Sequence, residues 1–123
     1  QRAAIAALMA EPTEIKFMVD EFSQRRDLVL NLIREIDGIK INKPEGAFYV
    51  FPEIDSFFGK SSGDYTINNA SDLAMYLLEV ANVATVTGEA FGSPKNIRFS
   101  YAASQVQLKE AMKRIKDALQ KLS

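Results

Sequence analysis

The tightest constraint on how this chain can fold is a short alternation, Asn96 to Tyr101 (NIRFSY), set behind the glycine-punctuated run GEAFGSPK. Strand side chains point to opposite faces with a period of two, so Ile97, Phe99 and Tyr101 share one face while Arg98 and Ser100 share the other. The first face reads as core. The second carries a guanidinium, and because burying an unpaired charge costs more than packing returns, Arg98 has to meet an anion or water. A carboxylate or phosphate ligand would satisfy it. So would an internal Asp or Glu, or an escape to solvent along its aliphatic stem. Just upstream, Gly88 and Gly92 bracket Glu89, Ala90 and Phe91. Glycines allow a backbone path that side chains would block, close to whatever the arginine holds.

Around this segment helical and extended patterns alternate. Gln1 to Ala10 predicts a helix with Ile5 and Leu8 on its buried side, and it has so few polar residues that it needs cover on more than one side. Pro12 suits a first helical turn. From Thr13 to Asp37 the positions Ile15, Val19, Phe22, Val29, Leu32, Ile33 and Ile36 keep helical spacing, with Gly38 placed to cap the end. Arg25 and Arg26 interrupt that stripe and read as a solvated face beside Glu21 rather than as a basic contact patch. Ile39 to Ile41 is a short strand, Asn42 to Gly46 a turn, and Ala47 to Phe51 (AFYVF) a strand inside a sheet, apolar on both faces and stopped by Pro52.

Glu53 to Phe58 predicts a helical turn presenting Ile54, Phe57 and Phe58 to the core, and Gly59 to Asn68 (GKSSGDYTIN) reads as the most mobile loop. That loop lacks the strand-to-helix frame of a phosphate-binding loop. Ala70 to Ala81 is a helix through Leu73, Leu77 and Val80, with Asn69 or Ser71 as cap and Asn82 able to end it left-handed, followed by a strand at Val83 to Val86. Ser104 and Gln107 have capping-box spacing before a helix whose Leu108, Ala111, Met112, Ile115, Ala118, Leu119 and Leu122 recur at helical intervals. The predicted class is α/β: an α+β sandwich in which a small mixed sheet of three to four strands is covered by helices, with long helices towards both ends.

Composition removes several kinds of chemistry. With 123 residues there is room for one core. No cysteine means no disulfide or thiolate chemistry, and no histidine removes the common triads and most zinc sites. Fifteen basic against 16 acidic side chains give no field to draw in nucleic acid or an anionic membrane, which weighs against an RNA-binding sheet stacking on Phe48, Tyr49, Phe51 and Tyr101. No apolar run approaches the roughly 18 residues of a membrane span. Gln1 is preceded by no initiator methionine, so the chain is expected to be cut from something longer, and a cytoplasmic location fits the absence of cysteine.

Two stretches carry a family resemblance. GEAFGSPKNIRFSYA, followed by LKEAMKRIKDALQKL, and separately KPEGAFYVFPEI, resemble in the same order the C-terminal part of class I and II pyridoxal-phosphate-dependent aminotransferases, with bacterial aspartate aminotransferases the nearest resemblance. The resemblance implies that residues 1–12 are the tail of the large domain's helical region and residues 13–123 the small domain of a fold-type-I enzyme. It implies that Arg98 binds the substrate's α-carboxylate, that Phe91 walls the substrate side, and that Gly46 and Ala47 lie near the domain cleft if they are more than a turn and a strand start. Domain closure would carry Arg98 inward. The intact enzyme would move an amino group between an amino acid and a 2-oxo acid as a homodimer. Its cofactor lysine, the aspartate at the cofactor's ring nitrogen and the phosphate-binding residues would lie in the absent large domain; Lys43, Lys60 and Lys95 do not match the cofactor lysine motif. This segment alone is then expected to be inactive and to bind no pyridoxal phosphate. A free-standing amino-acid-binding or regulatory α/β module that performs no chemistry is the alternative.

Overall fold

In a computed structural model, which describes residues 1–123, the helical patterns fold close to where their periodicity puts them. The helices are α1 (Arg2–Met9), α2 (Lys16–Arg34), α3 (Ala70–Ala81) and α4 (Gln105–Leu119); the strands are β1 (Tyr49–Val50), β2 (Ser61–Ser62), β3 (Tyr65–Thr66), β4 (Val86–Thr87) and β5 (Ile97–Ser100). At the start of α3 the Asn69 side chain accepts from the Asp72 amide at 2.9 Å, and Asn82 ends the helix left-handed at φ 53. Ser104 and Gln107 close the expected capping box before α4. Helix α4 packs against both α2 and α3.

The α/β class holds, but the sheet is antiparallel rather than mixed. One sheet has the order β1-β5-β4, with Tyr49 opposite Ser100 and Val86 opposite Arg98, and β2 and β3 form a separate hairpin. The AFYVF segment is therefore an edge strand and not an interior one. Only Val50 is fully covered, Phe48 is exposed, and β5 takes the centre because it has a partner on each side. Ile39 to Ile41 forms a single bridge, Lys40 to Glu53, rather than a strand. Gly59 to Asn68, expected as a mobile loop, contains the β2–β3 hairpin. That hairpin is tied to the C-terminal residue through Ser61 N–H donating to the Ser123 carbonyl at 3.0 Å and Ser123 N–H donating to Ser61 at 3.1 Å.

The core is a single cluster. It runs from Val29, Leu30 and Ile33 of α2 through Val50, Ile97, Phe99 and Tyr101 on the inner face of the sheet to Leu73 and Leu77 of α3 and Met112 and Ile115 of α4. The alternation in β5 is as read, with Ile97 and Phe99 buried, Arg98 half-buried and Ser100 exposed. The N-terminal end differs. Helix α1 buries none of its residues, so the expected inner side of Ile5 and Leu8 faces outwards, and Phe17, Met18 and Val19 in the first half of α2 are exposed as well. No element of the chain lies over them. An apolar face of this extent marks a surface made for contact.

Candidate functional site

The outer face of the sheet gathers the arginine and three aromatic rings. Arg98 lies on β5, and the register puts Tyr49 one diagonal away on the same face. The guanidinium carbon stands 5.2 Å from the Tyr49 ring centroid and 5.0 Å from that of Phe91, both within cation–π range. Phe91 is 50% exposed, and Phe51 meets it edge-on at 6.0 Å and 81°.

No acidic side chain pairs with this guanidinium. Glu53 is paired with Lys40 and Asp55 with Lys95, and none of the chain's ion pairs or side-chain hydrogen bonds includes Arg98. Of the satisfactions open to Arg98 on sequence grounds, a carboxylate from within residues 1–123 is thus excluded. What remains is a half-buried cation whose N–H donors are unused and whose neighbours are ring faces.

The loop that presents Phe91 is held by backbone contacts. Residues Gly88–Phe91 make a single 3-10 turn, closed by Gly92 at φ 76. The Gly88 N–H donates to the Asn96 carbonyl at 2.8 Å and the Ser93 N–H to the Gly88 carbonyl at 2.9 Å, while the Asn96 amide donates to the Phe51 carbonyl at 2.9 Å. Gly88 is needed for the loop's own closure: a Cβ there would meet the Ser93 oxygen at 2.1 Å. The close approach at Gly88 is to the loop's own backbone.

Gly46 and Ala47 border two hollows. A groove of about 360 Å³ lies between α2 and the Glu45 to Phe48 turn, lined in part by Met18, Phe22, Arg26 and Tyr101. A second, about 380 Å³, includes Lys43, Tyr49, Phe51, Ser93 and Asn96. Arg98 lines neither; it stands on an open face that shares Tyr49 and Phe51 with the second. Ala47 takes φ 63, a conformation unusual for a residue with a Cβ, and its carbonyl accepts from the Tyr101 hydroxyl at 2.9 Å. Burial pushes the Tyr101 phenol above its ordinary 10.0, with Asp27 adding to the shift and Arg26 opposing it.

Arg25 and Arg26 are not the solvated face expected of them. Arg25 pairs with Glu21 at 2.8 Å and lies over the Phe22 ring, while Arg26 is mostly buried against Asp27 and the Pro44 carbonyl. The Arg26 hydrogen bond also holds the Asp27 carboxyl below its ordinary 3.8.

The residues present do not compose a pyridoxal-phosphate site. A cofactor aldehyde needs a sheltered amine, and no lysine is buried. Lys60 lies over Phe57, and Lys40 and Lys95 are paired with carboxylates. No group of three or more potential ligands could hold a metal ion, and no helix is long and apolar enough to cross a membrane.

Tyr49 and Asn96 were missed as parts of this site. Period two places Tyr49 and Phe51 on one face of their own strand, but only the pairing register brings that face beside Arg98.

The family model described as "Aminotransferase class I and II" matches residues 1–115. A bifunctional aspartate aminotransferase and glutamate/aspartate-prephenate aminotransferase of Petunia hybrida is 46% identical over 123 residues, covering 97% of this chain and 26% of that protein. The crystal structure of the aspartate aminotransferase from Rhizobium meliloti superimposes with a TM-score of 0.91 at 42% identity, covering 98% of this chain and 30% of the other. An alanine aminotransferase from Pyrococcus furiosus superimposes at 0.82 with 31% identity, covering 96% and 28%. The chain thus spans between a quarter and a third of the length of the proteins it matches.

Proposed function

The chain belongs to the aminotransferase class I and II family, and on that premise we propose that it supplies the carboxylate-binding side of an enzyme that moves an amino group between an amino acid and a 2-oxo acid. One observation carries the assignment. Arg98 is half-buried yet has no acidic partner, so its paired N–H donors remain for an incoming acid. A guanidinium matches both oxygens of a carboxylate at once, which a lysine ammonium cannot do. Arg98 then fixes the α-carboxylate and so orients the amino group and Cα of the substrate, while Phe91 excludes water from one side of the ion pair.

Pyridoxal phosphate is the cofactor of this reading. No step through it is assigned to this chain, whose lysines do not form its site. Residues 1–12 are assigned to the end of the large domain and residues 13–123 to the small domain. The exposed apolar side chains of α1 and of the first half of α2 support a large domain lying against them. A cytoplasmic homodimer is the proposed intact form, and the isolated segment is proposed to be inactive. Aspartate is the amino acid favoured by the names of several relatives. The alanine enzyme shares the fold, so side-chain choice is assigned to groups outside this segment. No observation favours a free-standing binding module, because the matched proteins carry this segment inside much longer chains.

The test is Arg98→Lys in the full-length enzyme. Loss of a charge-assisted bond of about 1.5–3 kcal/mol should raise KM for aspartate by roughly ten- to a hundred-fold. Cofactor content should stay as in the parent. Unchanged kinetics would remove Arg98 from the substrate.

A further inference from the structure

A half-buried arginine can be oriented by a carboxylate that pairs with it. Arg98 is not, and something else must set its direction, because a free arginine side chain has many rotamers to lose on binding. The rings supply a restraint. Tyr49 and Phe91 stand at nearly equal distance from the guanidinium carbon, 5.2 Å and 5.0 Å, and they come from different parts of the chain, β1 and the Gly88 loop. Each ring is itself held. Tyr49 is fixed by the β1–β5 register, and Phe91 by the edge-on contact with Phe51.

We infer that Tyr49 is a positioning residue for Arg98: its ring, with that of Phe91, orients the guanidinium through ring contact and leaves the N–H donors free for a substrate carboxylate. The inference rests on the carboxylate role proposed above and adds to it the source of the arginine's orientation. Ring contact differs from an acidic partner in one decisive respect. A protein carboxylate would occupy the same N–H donors that the substrate needs, and the substrate would have to displace it. A ring contact leaves them open. The Tyr49 hydroxyl takes part in no hydrogen bond within the chain, so the ring alone is assigned the role.

The experiment compares Tyr49→Leu, Tyr49→Phe and Arg98→Lys in the full-length, cofactor-loaded enzyme, with L-aspartate and a 2-oxo acid as substrates. Loss of a cation–π contact should raise KM for aspartate about two- to five-fold in Tyr49→Leu. The carboxylate is held alike before and during the reaction, so kcat should stay within about two-fold. Tyr49→Phe, which keeps the ring, should behave as the parent, and cofactor absorbance should be the same in all variants. A purely structural role would lower activity or yield without this division between KM and kcat or rescue by phenylalanine. An unchanged KM in Tyr49→Leu, or a Tyr49→Phe as impaired as the leucine variant, would overturn the inference. If Arg98→Lys raises KM and Tyr49→Leu does not, the carboxylate role stands and the positioning role falls; if neither does, both fall. Should Tyr49→Leu fail to fold, Tyr49→Met, which also removes the ring and keeps an apolar side chain, carries the same expectation and the same refutation.

Discussion

Replacing Gly88 with alanine is the sharpest single perturbation of the site's architecture, and its size can be worked from contacts. The new Cβ would lie 2.1 Å from the Ser93 carbonyl oxygen and 2.6 Å from that of Asn96. Both are backbone atoms, so no flexible side chain can swing away. Relief requires the loop to part, which breaks Gly88 N–H to Asn96 O (2.8 Å) and Ser93 N–H to Gly88 O (2.9 Å). Overpacking of about 1–3 kcal/mol adds to two hydrogen bonds of about 1 kcal/mol each, giving a loss of roughly 3 kcal/mol or more. Gly92, four residues on, is the control. It has φ 76 but nothing within 4 Å of its would-be Cβ, so alanine there meets only the left-handed penalty of about 1–2 kcal/mol, partly offset by a less flexible unfolded chain. Urea unfolding of the two variants at constant m reads both values. A Gly92→Ala loss equal to or larger than that of Gly88→Ala would refute the reasoning, because it would mean that backbone angle and not close packing governs the loop.

Two further outcomes concern the turn beside the groove. Tyr101→Phe removes the donor to the Ala47 carbonyl and should destabilise the chain by about 1 kcal/mol near neutral pH. Its pH dependence has a definite sign. The folded phenol sits above 10.0, so the native state keeps a proton that the unfolded chain releases, and stability is intact below pH 10.0 and falls as pH rises beyond it. The phenylalanine variant should therefore lose less stability between about pH 8 and pH 11 than the parent does, read as urea midpoints; an equal loss would count against burial of this hydroxyl. Ala47→Gly, at φ 63, should gain about 0.5–1 kcal/mol by relieving the left-handed backbone, and a thermal midpoint lower than the parent's would contradict that strain.

How far the fold could be read depended on whether a signal was local. The capping box at Ser104 and the left-handed ending at Asn82 are short-range chemistry, and both stand in the structure as the sequence implies. The alternation in β5 is equally local, and it gave the inner face of the sheet directly. Sheet order is not local. AFYVF is apolar on both faces because one face meets the core and the other, Tyr49 and Phe51, meets Arg98 and Phe91, a use of aromatic residues that composition does not distinguish from burial. The GKSSGDYTIN segment gave no strand signal because its hairpin draws on pairing with the chain's last residue rather than on apolar alternation. Arg25 and Arg26 misled for a related reason. Their partners Phe22, Asp27 and Pro44 cover the aliphatic stems, and hydropathy counts only the charged heads.

The site follows from how differently the two faces of one strand treat their neighbours. On the inner face of β5, Ile97 and Phe99 are held by contacts that fill space and tolerate no exchange with an outside molecule. On the outer face, Arg98 is held by contacts of another strength. A cation–π pair at a partly exposed position is worth about 0.5–1 kcal/mol, whereas a hydrogen bond to a charged group is worth about 1.5–3 kcal/mol. An arriving carboxylate can therefore bind to the guanidinium without having to undo what orients it, since the two interactions use different parts of the same side chain. Had the sheet offered Arg98 an aspartate in place of Tyr49, the fold would have gained an ion pair and the face would have lost the free donors that the proposed role requires. The exposure of Phe91 accords with the proposed role, in which its ring would complete its packing when a carboxylate lies against the arginine.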